Sequence, residues 1–132
     1  MNRHQRRALR EKRRAKAAAG ITLAVLADPD PDRLEKAEQW EVVKLYEAVG
    51  CKVISFSQPR ATMQTEGIPD LRVYCERKGL SWWQECKRPI GGRQSDAQLD
   101  FQIMAERCGE IYILGGFREA YAHLQQIGVI LL

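Results

Sequence analysis

Some segments of this chain repeat their apolar residues at the spacing of a helix, and others are short apolar runs typical of strands. The two kinds of segment are mixed along the sequence. The longest helical pattern ends at Gly50, a residue type suited to helix C-termini. Two of the strand-like runs are separated only by the turn Glu-Arg-Lys-Gly, which predicts a hairpin. The predicted elements are helices over 33–49, 95–108 and 117–126, and strands over 51–57, 71–75, 80–87 and 110–116.

The first predicted helix carries polar residues in line with its apolar ones. At helical spacing, one line along it contains Glu35, Gln39, Val42, Tyr46 and Val49. An acid and an amide are therefore predicted on the side that faces the rest of the fold. Glu38 lies one position from the same side and is an alternative to Glu35 for any role there.

Length and charge separate the chain into a basic arm and a body. A chain of 132 residues is about one domain. Residues 1–20 carry eight Lys/Arg and one acid, a net charge of +7, which leaves −3 for the rest. The Asp-Pro-Asp-Pro-Asp run at 28–32 interrupts any helix. We therefore predict an arm and hinge over 1–32 and one α/β domain over 33–132.

The apolar run at 17–27 is too short to span a bilayer, so no membrane association is predicted. Because it follows a basic stretch, it also resembles a signal peptide with cleavage after Ala27. A secreted factor is thus a competing hypothesis. The cysteines favour a reducing cytoplasm instead, because they are widely spaced and lack any Cys-x-x-Cys pair. All four are predicted to be buried thiols: Cys51, Cys75, Cys86 and Cys108.

The predicted hairpin brings acidic and basic residues to one end. Asp70 begins the first strand after Pro69, while Glu85 and Lys87 lie two residues apart near the end of its partner. In a hairpin, the start of one strand lies beside the end of the other, so these side chains should be close together. Mg²⁺ prefers oxygen ligands, and it is commonly bound by one or two carboxylates while water and phosphate fill its other coordination positions.

This group favours metal-assisted hydrolysis of a phosphodiester. Lys87 would orient an attacking water or stabilise negative charge on the phosphate, and Glu35 would add a third carboxylate. Simpler interpretations exist for each residue. Asp70 is a common turn residue after proline, and Glu85 with Lys87 could be a surface ion pair.

Four short motifs occur in order between about residues 33 and 125. They are Glu35-x-x-x-Gln39, Gly67-x-Pro69-Asp70, Glu85-x-Lys87 and Ser95-x-x-Gln98. Together, at this spacing, they resemble the VRR-NUC branch of the PD-(D/E)XK nuclease superfamily. The last motif also matches a helix capping box, which by itself would explain Gln98.

The resemblance implies a restriction-endonuclease-like mixed central sheet flanked by helices, here with a basic N-terminal arm. It implies an endonuclease that depends on Mg²⁺, with Mn²⁺ as a substitute, and needs no small-molecule cofactor. Asp70, Glu85 and Glu35 would bind metal, Lys87 would serve the nucleophilic water, and Gln98 would complete the site. Small stand-alone members occur in phages, so we expect a cytoplasmic homodimer acting on DNA, branched DNA in particular, in a bacterial or phage-infected cell.

DNA binding is expected to involve the basic arm, which would neutralise phosphates. Side chains flanking the site could contribute: Lys52, Arg60, Arg88 and Arg93. Trp82 and Trp83 point to opposite faces of their strand, so at least one belongs to the core, and neither is assigned to DNA. The alternative function is a non-catalytic nucleic-acid-binding or assembly protein on a nuclease fold. Intact Asp70, Glu85 and Lys87 argue against it.

Overall fold

The computed structural model describes residues 2–9, 33–56 and 65–131. The predicted hinge at 28–32, the apolar run at 17–27 and Arg60 lie outside these ranges. Within the arm, residues 3–9 form a short helix, α1. The remaining elements are α2 (Glu35–Ala48), β1 (Lys52–Ser55), β2 (Leu71–Cys75), a 3-10 turn (Glu76–Lys78), β3 (Leu80–Glu85), α3 (Asp96–Arg107), β4 (Ile111–Leu114) and α4 (Phe117–Gln126).

The four strands form one mixed sheet in the order β1-β2-β3-β4. The pair β2 and β3 is antiparallel, with Leu71 opposite Gln84, which confirms the predicted hairpin. Strand β1 pairs with β2 antiparallel, whereas β4 lies parallel to β3 after the α3 crossover. A mixed sheet flanked by helices is the predicted fold class, which is confirmed.

Helices α2 and α4 cover one face of the sheet and enclose the core. Trp82 is fully buried there and contacts Tyr46 of α2 and His123 of α4, with ring centroids 5.5 and 4.5 Å away. Fully burying each large apolar side chain contributes ~1.5–3 kcal/mol. The other buried core residues include Val42, Leu45, Leu71, Val73, Phe117, Ala120, Tyr121 and Leu124.

Helix α3 packs on the opposite face, over β3 and β4. Trp83 is half-buried beneath it, with its ring centroid 5.1 Å from that of Phe101. Trp82 and Trp83 therefore do lie on opposite faces, and Trp82 is the core residue, as the alternation along the strand predicts. Within the described residues, none of the helices combines the length and apolar character needed to cross a bilayer.

The inner side of α2 differs from the predicted line. Val42 and Tyr46 are buried as expected, but Leu45 and Glu38 are buried beside them, while Glu35 is exposed at the first turn. The buried stripe is thus rotated toward the line through Glu38. The reason is α4, which packs against α2 on that side and whose Phe117 N–H donates a hydrogen bond to Glu38.

The prediction that every cysteine is buried is wrong for one of them. Three are buried free thiols, but Cys108 is exposed. It caps the C-terminus of α3, where the chain turns through Gly109 at the surface before entering β4. A residue of apolar character is tolerated there because helix ends of this kind lie at the periphery of the fold.

Candidate metal and catalytic site

Three carboxylates from three parts of the chain meet at one end of the sheet. Glu35, Asp70 and Glu85 each offer an oxygen atom, and these atoms lie within 4.8 Å of one another. Glu35 comes from the first turn of α2, Asp70 from the residue before β2, and Glu85 from the last residue of β3. The group is exposed at Glu35 and buried at Glu85, so it is open to solvent from one side.

The backbone around Asp70 fixes its carboxylate. Its Oδ2 accepts a hydrogen bond of 2.8 Å from the Cys86 backbone N–H, and its own N–H donates to Glu85 Oε2 at 3.2 Å. These bonds continue the β2–β3 pairing beyond the last ladder residues. The carboxylates are consequently held by hydrogen bonds before any ligand arrives.

The glycine two residues before Pro69 has a packing role. Gly67 has a φ of +80°, and a Cβ atom there would lie 2.2 Å from the backbone oxygen of Ala97 in α3. Only glycine permits so close an approach in this conformation. The Gly-x-Pro-Asp motif therefore docks the loop before β2 against the first turn of α3.

Lys87 lies beside the buried carboxylate. Strand β3 ends at Glu85, so the strand predicted over 80–87 is two residues too long, and Lys87 lies just beyond its end. Its Nζ is nevertheless 3.2 Å from Glu85 Oε1, and its side chain is only 12% exposed. The ammonium therefore offsets part of the negative charge at this end of the sheet.

Gln98 connects the lysine, the carboxylate and a helix start. Its Nε2 donates to Glu85 Oε1 at 2.7 Å, and its Oε1 accepts from Lys87 Nζ at 3.1 Å. The same Oε1 accepts from the Ser95 backbone N–H at 2.8 Å, completing the predicted capping box of α3. The two interpretations of Gln98 are thus compatible, because one amide makes both sets of bonds.

Glu38, the alternative to Glu35, is engaged elsewhere. Its Oε1 accepts a 2.7 Å hydrogen bond from the Phe117 backbone N–H, and its Oε2 pairs with Arg33. It therefore caps the N-terminus of α4, where an anion is favoured. A Cβ on Gly116 would overlap the Glu38 side chain, so this glycine makes room for the cap.

The surroundings raise the pKa of both acids at the end of the sheet, half-buried Asp70 and buried Glu85. Burial raises the pKa of Glu85 from its ordinary value to about 7, and repulsion by Asp70 adds to the increase while Lys87 opposes it. Burial likewise raises the pKa of Asp70, against the lowering effect of the Cys86 N–H and of Lys87. Sites that bind cations commonly hold carboxylates in this way, since the cation replaces the proton.

These pKa values predict how the metal-free protein responds to pH. Because the folded-state pKa of Glu85 is about 7, its contribution to the free energy of unfolding is fully present below about pH 4.5. The contribution is lost as the pH rises through about 7, since the folded protein keeps this proton after the unfolded chain has released it. Urea unfolding in EDTA between about pH 5 and pH 8 measures this. We expect Glu85→Gln to gain stability relative to the parent as pH rises.

The lowered pKa of buried His123 acts in the opposite direction in both proteins, so it cancels in the comparison. A pH-independent difference would contradict the prediction.

The structure brings together all five residues predicted for the site: Glu35, Asp70, Glu85, Lys87 and Gln98. Of the side chains expected to flank it, Arg88 and Arg93 are exposed in the loop after Lys87. Lys52 lies at the opposite end of the sheet, beside Tyr74. The contribution of the Cys86 backbone N–H has no sequence signal, since any residue except proline supplies it.

The donor set fits a hard divalent cation. All three potential ligands are carboxylate oxygens, which Mg²⁺ and Mn²⁺ accept readily and Zn²⁺ uses less often than nitrogen or sulfur. Protein ligands on one side leave the open side for water and phosphate, as Mg²⁺ sites that bind phosphates usually do.

The described fold is a mixed four-stranded sheet with α2 and α4 on one face and α3 on the other. Among solved structures, the chain is similar to one described as "VRR_NUC domain", at a TM-score of 0.57 and 24% sequence identity. The similarity covers 70% of this chain and 94% of that one. This likeness supports the VRR-NUC fold that the motifs predict. No protein-family model matches the chain, and no curated protein matches it.

Proposed function

We propose that this protein is a metal-dependent DNA endonuclease that hydrolyses phosphodiester bonds. One observation carries the proposal: three carboxylate oxygens lie within 4.8 Å of one another, next to a largely buried lysine. Carboxylates this close repel one another when ionised, so a structural role alone gives little reason for such a group. The similarity in fold to a VRR_NUC domain supports the same function.

Each residue is assigned a part in this proposal. Asp70, Glu85 and Glu35 would hold Mg²⁺, or Mn²⁺ in its place. When bound, the cation would polarise the phosphate and make a nearby water more acidic. Lys87 donates hydrogen bonds from Nζ to the attacking water or to a phosphate oxygen, and thereby orients it. Gln98 fixes the lysine by accepting from it at 3.1 Å.

The proposed substrate is DNA, and branched DNA such as a four-way junction or a flap is the proposed preference. The body has a net charge of −3, so attraction to a polyanion would rely on the basic residues 1–20 and a few exposed side chains such as Arg88 and Arg93. We also propose that the chain acts in the cytoplasm as a homodimer, because symmetric nicking of a junction needs two sites related by a twofold axis.

The experiment that tests this function measures cleavage of labelled four-way junction, flap, duplex and single-stranded DNA with Mg²⁺, Mn²⁺ or EDTA. We expect cutting with either metal and none in EDTA, with a branched substrate cut fastest. Cutting that persists in EDTA would contradict the metal site. Binding without cutting under every condition would favour the alternative, a non-catalytic assembly protein.

A further inference from the structure

The sheet face that carries Asp70 and Glu85 is covered by α3 on one side and uncovered over β1 and β2. Side chains of Arg72, Tyr74 and Trp83 share this face, since Arg72 lies 5.5 Å from the Tyr74 ring centroid and 4.6 Å from that of Trp83. Helix α3 packs on the β4 side of the face. Over β1 and β2, no described helix covers the face, and Ile54 and Tyr74 are 40% and 44% exposed.

A cavity of about 410 Å³ opens at the far end of this uncovered surface. Lys52, Tyr74 and Ser81 lie side by side in the register of β1, β2 and β3, and all three line the cavity. Its volume is in the range of small-ligand sites. The remaining lining residues are Gly50, Cys75, Glu76, Gly79 and Leu80.

The lining favours a nucleobase over other occupants. The exposed ring of Tyr74 offers a stacking surface, which every base can use regardless of sequence. Lys52, another lining residue, is exposed and has no ion-pair partner in the described part of the chain, so it can neutralise a phosphate. Glu76 also lines the cavity, and its carboxylate repels phosphate but can accept a hydrogen bond from the amino group of a base.

The distance to the carboxylates sets the register of such a strand. Tyr74 lies four residues from Asp70 along β2, which corresponds to ~13 Å of extended chain. A stacked strand rises ~3.4 Å per nucleotide, so the span is about four nucleotides, and fewer if the strand is stretched. Both ends of the span lie on the same sheet face, so a strand can run between them without crossing the fold.

We propose that this cavity binds an unpaired base of the DNA substrate, about four nucleotides or fewer from the bond to be cut. Tyr74 stacks on the base, and Lys52 binds the adjoining phosphate. The inference rests on the proposed nuclease function, and it adds that the preferred substrate has a single-stranded arm. A base inside continuous duplex cannot reach the cavity without unpairing, which costs free energy.

The test uses the full chain and labelled duplexes that carry a single-stranded arm of increasing length, from none to about eight nucleotides. Fluorescence anisotropy in EDTA measures affinity without cutting. We expect the parent to gain about tenfold in affinity once the arm reaches the cavity, the size of one stacking contact. Tyr74→Leu should lose this gain, whereas Tyr74→Phe should keep it. Trp40→Leu removes an exposed aromatic ring elsewhere, on α2, and should also keep the gain.

Thermal unfolding of each variant establishes that the fold is retained, which is expected because Tyr74 is exposed. If Tyr74→Leu retains the arm-dependent gain, the inference is wrong, even if the protein cuts DNA. If the gain depends on Tyr74 but no metal supports cutting, the base-binding cavity stands and the nuclease function fails. The two ideas are therefore separable.

Discussion

Replacing Lys87 with methionine is expected to lower metal-dependent DNA cleavage by about 10²- to 10³-fold, the usual cost of losing one group that stabilises charge at a reacting phosphate or carbonyl. Methionine keeps most of the length of the side chain but lacks the ammonium. The loss also acts on Glu85, whose raised pKa is held down by this lysine. Binding of DNA in EDTA should change little, because only one positive charge is removed.

Single-turnover cleavage rates and anisotropy titrations of the same proteins measure the two effects separately. Lys78→Met is the matched control, since Lys78 is an exposed residue in the 3-10 turn at the opposite end of the hairpin. It should cut at the parent rate. Cleavage by Lys87→Met at the parent rate would show that the catalytic site lies elsewhere.

The second large effect separates two glutamates on the first turn of α2. Glu38→Ala leaves the buried Phe117 N–H without its acceptor, and an orphaned buried donor costs about 2 kcal/mol. For a domain of this size the melting temperature should fall by roughly 5–10 °C. Glu35→Ala removes an exposed side chain with one oxygen in the carboxylate group, so the melting temperature in EDTA should stay near that of the parent.

The rise in melting temperature caused by added metal should depend on Glu35 and not on Glu38. A ligand that binds the folded state raises the melting temperature, so Mg²⁺ or Mn²⁺ should stabilise the parent and Glu38→Ala by similar increments. Glu35→Ala should lose most of this increment together with cleavage. If Glu38→Ala instead loses the metal response and keeps its stability in EDTA, the assignment of the two glutamates is reversed.

Local sequence signals predicted much of this arrangement. The short Glu-Arg-Lys-Gly turn determines the hairpin, and the hairpin places Asp70 beside Glu85 without further information. The capping box at Ser95 likewise locates the start of α3, and hence Gln98. In each case the determining residues lie within about twenty positions of one another, so the chain's own connectivity sets their geometry.

Longer-range contacts escaped the same reasoning. Whether Glu35 or Glu38 faces the carboxylates depends on where α4 packs, and the Phe117 N–H that Glu38 caps is 79 residues away in sequence. Helical spacing places Glu35 and Glu38 on nearly the same side of α2, so it does not distinguish between them. The cavity beside Tyr74 has no motif, since it forms only when β1, β2 and β3 lie in register.

The shared amide of Gln98 links secondary structure to chemistry. Helix ends open and close more readily than helix interiors, and such openings involve whole turns rather than single bonds. When the first turn of α3 unwinds, the Ser95 N–H, Lys87 and Glu85 all lose their hydrogen bonds to Gln98 in the same event. Unwinding of one helical turn therefore removes the amide bridge between Lys87 and Glu85, and leaves only their direct ion pair of 3.2 Å to hold the two side chains together.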